Sequence, residues 1–250
     1  MNAVAVFDAE RIKLATTRSS VWIAVGVAAL SLALAALQGG LASSPLEPQR
    51  AALGIAVFGV PVLTVLASMT VTAEYRSGMI RTTFIAAPNR SLVLMCKALV
   101  VALFSAVYAA VLVICSVLVA RAVAAVPAGA ELSASSPAVW RVAGAVGLYA
   151  ALAAVLGVAV GALLRAGPGA VAVLLLWPLV VEPMLGNLPD VGPRVGPYLP
   201  FANIFLVTEV PWLYPVYDMP WGPAGSLVFF VALVAALFAG AVAVVNMRDA

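Results

Sequence analysis

Six apolar stretches, each long enough to cross a lipid bilayer as a helix, divide this 250-residue chain. A hydrocarbon core about 30 Å thick takes roughly 20 residues of helix. Runs of that length fall at Ser20–Leu41, Ala52–Ala73, Leu92–Ala120, Val139–Leu164, Pro168–Gly186 and Gly222–Asn246. Inside lipid every backbone N–H and C=O must find its partner within the segment. The expected fold class is therefore all-α: an integral membrane protein with six transmembrane helices. The third and fourth runs are long and are expected to tilt or to extend beyond the lipid. The fifth begins at Pro168, contains Pro178 and ends near Pro183, which predicts a broken or only partly inserted span.

Apolar residues make up 65% of the sequence and charged residues 9%, whereas a soluble domain carries about 25% charged residues. So few charges cannot cover a globule with a solvated surface. The apolar residues run along the whole length, so a single membrane domain over residues 1–250 is expected, with lipid as its solvent. The sequence has no histidine, which excludes His-based catalysis, His metal sites and His pH sensing. Cys96 and Cys115, if on one helix, lie roughly 28 Å apart, beyond disulfide reach. No zinc or redox motif occurs, and no basic patch with interleaved aromatics suggests nucleic acid. No metal, bound cofactor or nucleic-acid partner is expected.

Lys and Arg placement sets orientation. With the N-terminus inside, the inner segments hold Arg11, Lys13, Arg18, Arg76, Arg81, Arg90, Lys97, Arg165 and Arg248; the outer segments hold only Arg50, Arg121, Arg141 and Arg194. This favours the N-terminus inside, and an even number of spans returns the C-terminus inside. The first run is of full spanning length and lacks a clear small-x-small cleavage site between Gln38 and Ser44, so it reads as an uncleaved anchor.

Five features carry functional readings. In Asn2–Ser19, Phe7, Leu14 and Ile12 can share a helical side while Glu10, Arg11, Lys13 and Arg18 stay wet. This fits an interfacial helix, the alternative being a solvated positive flank. The inner segment from Glu74 to Arg90 places Met79, Ile80, Thr83 and Phe84 at helical spacing, with Arg76 and Arg81 at the surface, Pro88 as a stop and Ser91 as the next cap. It reads as a docking surface for a partner or as a positive-inside loop. The outer region Asn187–Trp221 is rich in proline and in aromatics, Trp212 and Tyr214 among them. Short broken helices are expected there, as a cap over a substrate path or as an aromatic anchor. Glu182, close to Trp177, is an ionisable group in an apolar run. It is a candidate for a substrate path or outer gate, or for a structural role near the headgroups. Gly157 and Gly161 have the spacing of close helix packing, within the chain or between copies.

With these elements in place, the chain resembles the membrane permease subunit of bacterial type-2 ABC transporters, the exporter-like class. Glu10-Arg11-Ile12-Lys13-Leu14-Ala15-Thr16-Thr17-Arg18-Ser19 resembles that family's amphipathic elbow helix. Glu74-Tyr75-Arg76-Ser77-Gly78-Met79-Ile80-Arg81-Thr82-Thr83, with Pro88, Arg90 and Lys97, resembles its loop between spans two and three. Met79 stands where the family often has threonine. Trp177-Pro178-Leu179 through Glu182-Pro183, and Leu199-Pro200-Phe201, resemble its late outer segment.

The resemblance implies a coupling helix in residues 74–91 that sits in a cleft of a cytoplasmic ATP-binding subunit. It assigns Glu74, Tyr75, Arg76, Gly78, Arg81 and Arg90 to that contact. It also implies a second permease copy or paralogue, residence in the bacterial cell membrane, and export of a hydrophobic or amphipathic substrate. No phosphate-cradling Gly-x-x-x-x-Gly-Lys-Ser/Thr sequence occurs. ATP and magnesium therefore belong to the partner, and this chain is expected to be non-catalytic. A secondary transporter or channel, or a non-transporting accessory membrane subunit, shares the same features. An intramembrane enzyme lacks the paired acids or histidines it needs.

Overall fold

Apolar runs too long for a soluble core and free of water must pair their own backbone, and the computed structural model shows how each does so. It describes residues 2–130, 132–211, 215 and 217–247; Trp212, Tyr214 and Arg248 lie outside the described residues. In chain order the main helices are α1 (Ala3–Thr16), α2 (Arg18–Gly40), α3 (Gly54–Ser77), α4 (Met79–Ala86), α5 (Arg90–Val123), α6 (Pro137–Leu164), α7 (Gly167–Gly186), α8 (Pro200–Thr208) and α9 (Gly222–Met247). No strand occurs among the described residues. Six of the helices, α2, α3, α5, α6, α7 and α9, are long and apolar enough to cross a membrane. Their ends fall within four residues of the limits set by the apolar runs.

The prolines are absorbed by widening the helix. Pro178 has no N–H to donate, and its ring crowds the preceding turn. Residues Trp177–Val181 open into a π turn, and the Glu182 N–H reaches back to the Trp177 carbonyl. The fifth span is thus helical from Gly167 to Gly186, which corrects the expectation of a broken segment. Ahead of Pro61, α3 opens in the same way over Gly54–Gly59.

The core sits on α6, which packs against α3, α5 and α9. Both α3 and α6 are mostly buried, while α2 and α9 are mostly exposed and supply the outer faces. Gly157 and Gly161 face α3. A Cβ at Gly157 would run into the Thr64 carbonyl oxygen, and one at Gly161 would stand 2.8 Å from that of Ser68. The glycine spacing therefore serves packing within the chain. Tyr149 is fully buried, and its ring meets Phe201, Phe205 and Phe230 edge-on at 5.7–6.4 Å. These contacts tie α6, α8 and α9 together.

The two ends of the bundle differ. One end gathers α1, the last turn of α3, α4, the first turns of α5, Arg165 at the end of α6, and the end of α9. The other holds the described residues of the connections 41–53, 124–136 and 187–221. The last of these is built of short helical pieces at Gly192–Val195, Gly196–Tyr198 and α8, as its prolines require.

Candidate functional site

The corner between α3 and α4 is made by one residue. Gly78 takes a left-handed conformation (φ 73°, ψ 0°), closing α3 and opening α4. A Cβ at Gly78 would meet nothing within 4 Å, so the backbone conformation, and not space, calls for glycine here. Beyond the corner, α4 exposes Met79, Arg81, Thr82 and Ile85 and turns Ile80 inward. Met79 is 51% exposed, while Thr83 and Phe84, one turn further along, are half-buried.

Pro88 follows the end of α4, and Asn89 caps α5, its Oδ1 accepting the Leu92 N–H at 3.0 Å. The cap is thus Asn89 and not Ser91. The Ser91 hydroxyl instead accepts a hydrogen bond from Asn246 Nδ2 at 2.8 Å.

Behind the corner lies a square of four alternating charges. Lys97 Nζ donates to Glu10 Oε2 and to Glu74 Oε1, each at 2.7 Å. Lys13 Nζ donates to Glu10 Oε1 and to the same Glu74 Oε1, each at 2.8 Å. Thr83 Oγ1 of α4 lies 3.5 Å from Glu74 Oε2 as a donor. The side chains of Lys97, Glu74 and Glu10 are 2%, 5% and 6% exposed. Two cations and two carboxylates leave the square neutral, which is what makes so deep a burial tolerable.

The square joins α1, the end of α3 and the start of α5. Glu10 is held within it, which corrects the expectation that this residue stays in water. The buried stripe of α1 is Val6 and Glu10, with Lys13 and Leu14 half-buried beside them, while Ile12 faces out. Burial alone would favour a neutral amine at Lys13. The hydrogen bonds and charges of Glu10 and Glu74 outweigh it and hold the ammonium above its ordinary value.

Two stacked arginines complete the corner. Arg165, in a left-handed conformation at the end of α6, lies 4.8 Å from the Tyr75 ring centroid. Arg90 lies 5.2 Å from that of Phe84 and donates to the Val245 carbonyl at 3.1 Å, tying α4 and α5 to the end of α9. Of the six residues assigned to a partner contact, Arg76, Gly78 and Arg81 are exposed, Tyr75 and Arg90 are half-buried, and Glu74 is inside.

At the opposite end, Glu182 is fully buried. Its carboxylate accepts the Phe201 N–H at 3.0 and 3.2 Å, the Ala202 N–H at 3.2 Å and the Trp177 indole N–H at 2.8 Å. Leu199, the residue at the N-cap of α8, has no side chain able to cap it. Glu182 supplies that cap from α7, placing negative charge on the positive end of α8. Next to it, the Asn203 Nδ2 donates to the Pro197 and Leu199 carbonyls, each at 2.9 Å, and its Oδ1 accepts the Trp221 indole N–H at 2.9 Å.

The pairing of Lys97 escaped the reading of the sequence. The available signal was an ionisable residue inside an apolar run, which calls for a partner of opposite charge. A family model described as an ABC-2 family transporter protein matches residues 6–175. The matched stretch covers α1 to α6, the start of α7 and the whole charged square. No curated protein matches the chain.

Proposed function

This chain belongs to the ABC-2 family of transporter proteins, and from that premise we propose that it is the membrane-spanning permease subunit of an ATP-driven bacterial exporter. ATP and magnesium bind a separate cytoplasmic subunit, and a second permease copy or paralogue completes the path. The end that carries α1 and α4 faces the cytoplasm. It holds eight of the twelve described basic residues, as the positive-inside rule requires. The substrate is hydrophobic or amphipathic and moves outward.

One observation carries this reading: an exposed helix, α4, turns off the Gly78 corner directly beside a buried ion-pair square that joins α1, α3 and α5. Arg76, Gly78, Met79, Arg81 and Ile85 form the contact for the ATPase. Glu74, Tyr75 and Arg90 stand behind it and pass its displacement into the bundle. A push on α4 reaches Glu74 through the Gly78 corner and Thr83, and then moves α1 and α5 through Lys13 and Lys97. Such a linkage moves as a unit, because separating any one charge from the square costs several kcal/mol. At the outer end, Glu182 and Trp177 act as the gate's fastening by holding α8 across the bundle.

Co-purification from the native genomic neighbourhood tests the proposal. A stoichiometric cytoplasmic ATPase, lost when residues 78–86 are scrambled, is the expected result. A folded protein that brings no ATPase under several mild detergents would favour a secondary transporter or an accessory subunit.

A further inference from the structure

A groove of about 810 Å³ runs along the outer face of the bundle between α1, α2 and α5. Its walls are Val21 to Ala29 of α2 and Val100 to Tyr108 of α5. Eight residues of helix rise about 12 Å, close to the ~15 Å thickness of one leaflet of the hydrocarbon core. The lining is almost wholly apolar. At the deep end the Tyr108 hydroxyl already donates to the Ala24 carbonyl, so no polar group there needs water. At the shallow end α1 lays Phe7, Arg11 and Leu14 across the mouth. These lie at helical spacing, with Phe7 and Arg11 about a quarter turn round from Val6 and Glu10 and Leu14 at the border between the two sides. Arg11 is the single cation among the lining residues, with its side chain 67% exposed and a 3.5 Å contact to Asp8, itself 51% exposed.

We propose that this groove binds an anionic glycerophospholipid, with an acyl chain between α2 and α5 and the phosphate against Arg11. Three observations select this occupant. The groove opens on the lipid-facing side of spanning helices, where water cannot fill it. Its depth is that of a single leaflet. Its mouth lies on the end of the bundle that carries eight basic and three acidic side chains among the described residues, which favours a net negative headgroup. The bound lipid fills the space beneath α1 and holds it level with the interface. This inference stands whether or not an ATPase partner exists.

The test uses the full chain purified in mild detergent with diazirine-tagged phosphatidylglycerol and, separately, phosphatidylcholine carrying the same tag. Phosphatidylglycerol is expected to label α2 and α5 on the groove side. Arg11→Gln should reduce that labelling about tenfold, as for a lost charge-assisted hydrogen bond, and should reduce phosphatidylcholine labelling much less, because the choline cation already neutralises that lipid's phosphate. Ala29→Trp and, independently, Val25→Trp should block labelling by both lipids in protein that stays monodisperse. Labelling spread evenly around the helices and indifferent to both tryptophans would overturn the proposal. So would equal loss of both lipids in Arg11→Gln, or disulfides between copies formed through Ala29→Cys in a background lacking Cys96 and Cys115.

Discussion

Lys97 Nζ lies 2.7 Å from a Glu74 carboxylate oxygen, with its own side chain only 2% exposed. Its ammonium is held by the carboxylates of Glu74 and Glu10. Lys97→Met leaves two buried carboxylates facing one ammonium. It is expected to cost about 3–5 kcal/mol, read as a fall in the melting temperature in detergent. Adding Glu74→Gln should recover part of that loss, because the remaining Glu10 and Lys13 balance each other. Strict additivity of the two changes would mean the square is not a unit.

Gly78 permits a graded test. Asparagine tolerates the left-handed region, so Gly78→Asn should keep both stability and ATPase-coupled transport. Gly78→Val should cost about 1–2 kcal/mol and re-aim α4, lowering transport more than membrane insertion. Equal transport by the two variants would remove the corner from the coupling route.

Glu182 should behave as a cap. Glu182→Gln keeps one acceptor oxygen for the N-terminus of α8 and is expected to lose about 1 kcal/mol. Glu182→Leu strands the Phe201 and Ala202 N–H groups and should lose about 2–4 kcal/mol. Transport is expected to fall in step with α8 order, read by protease sensitivity of the 187–211 segment. Full loss of transport with stability intact would point to direct contact with substrate instead.

The raised pKa of Lys13 fixes the direction of a pH effect. The folded state holds this proton more tightly than the unfolded chain does. Its stabilisation is therefore complete below the ordinary lysine value of about 10.4 and is lost as pH rises through the higher folded value. Melting followed from pH 8 to pH 11.5 should show an alkaline decline that Lys13→Arg reduces, since arginine stays protonated there.

Element existence was legible because lipid imposes one rule on every span: long apolar runs are helices. The residues that join those helices were not. Glu10 and Lys97 are 87 positions apart, and no local pattern links them. The stripe on α1 also misleads, because its buried face carries a carboxylate where amphipathic reasoning expects leucine. Pro178 looked like a break because a proline normally removes an i−4 hydrogen bond. The π turn shows how the helix runs on past it: the Glu182 N–H, whose ordinary i−4 acceptor is the Pro178 carbonyl, bonds instead to that of Trp177, one residue further back. The corner at Gly78 was foreshadowed by glycine itself, and the cap by Glu182 only by the unexplained presence of a carboxylate in an apolar run.

The charge square also dictates an order of events at the ribosome. Glu10 and Lys13 are made early, yet Glu74 follows Lys13 by 61 residues and Lys97 follows Glu10 by 87. At typical translation speeds that delay is on the order of ten seconds. During it Glu10 and Lys13 have only each other, and the partners that bury them are not yet made. α1 is thus made ahead of the helices that hold it, and its docking waits for the first turns of α5.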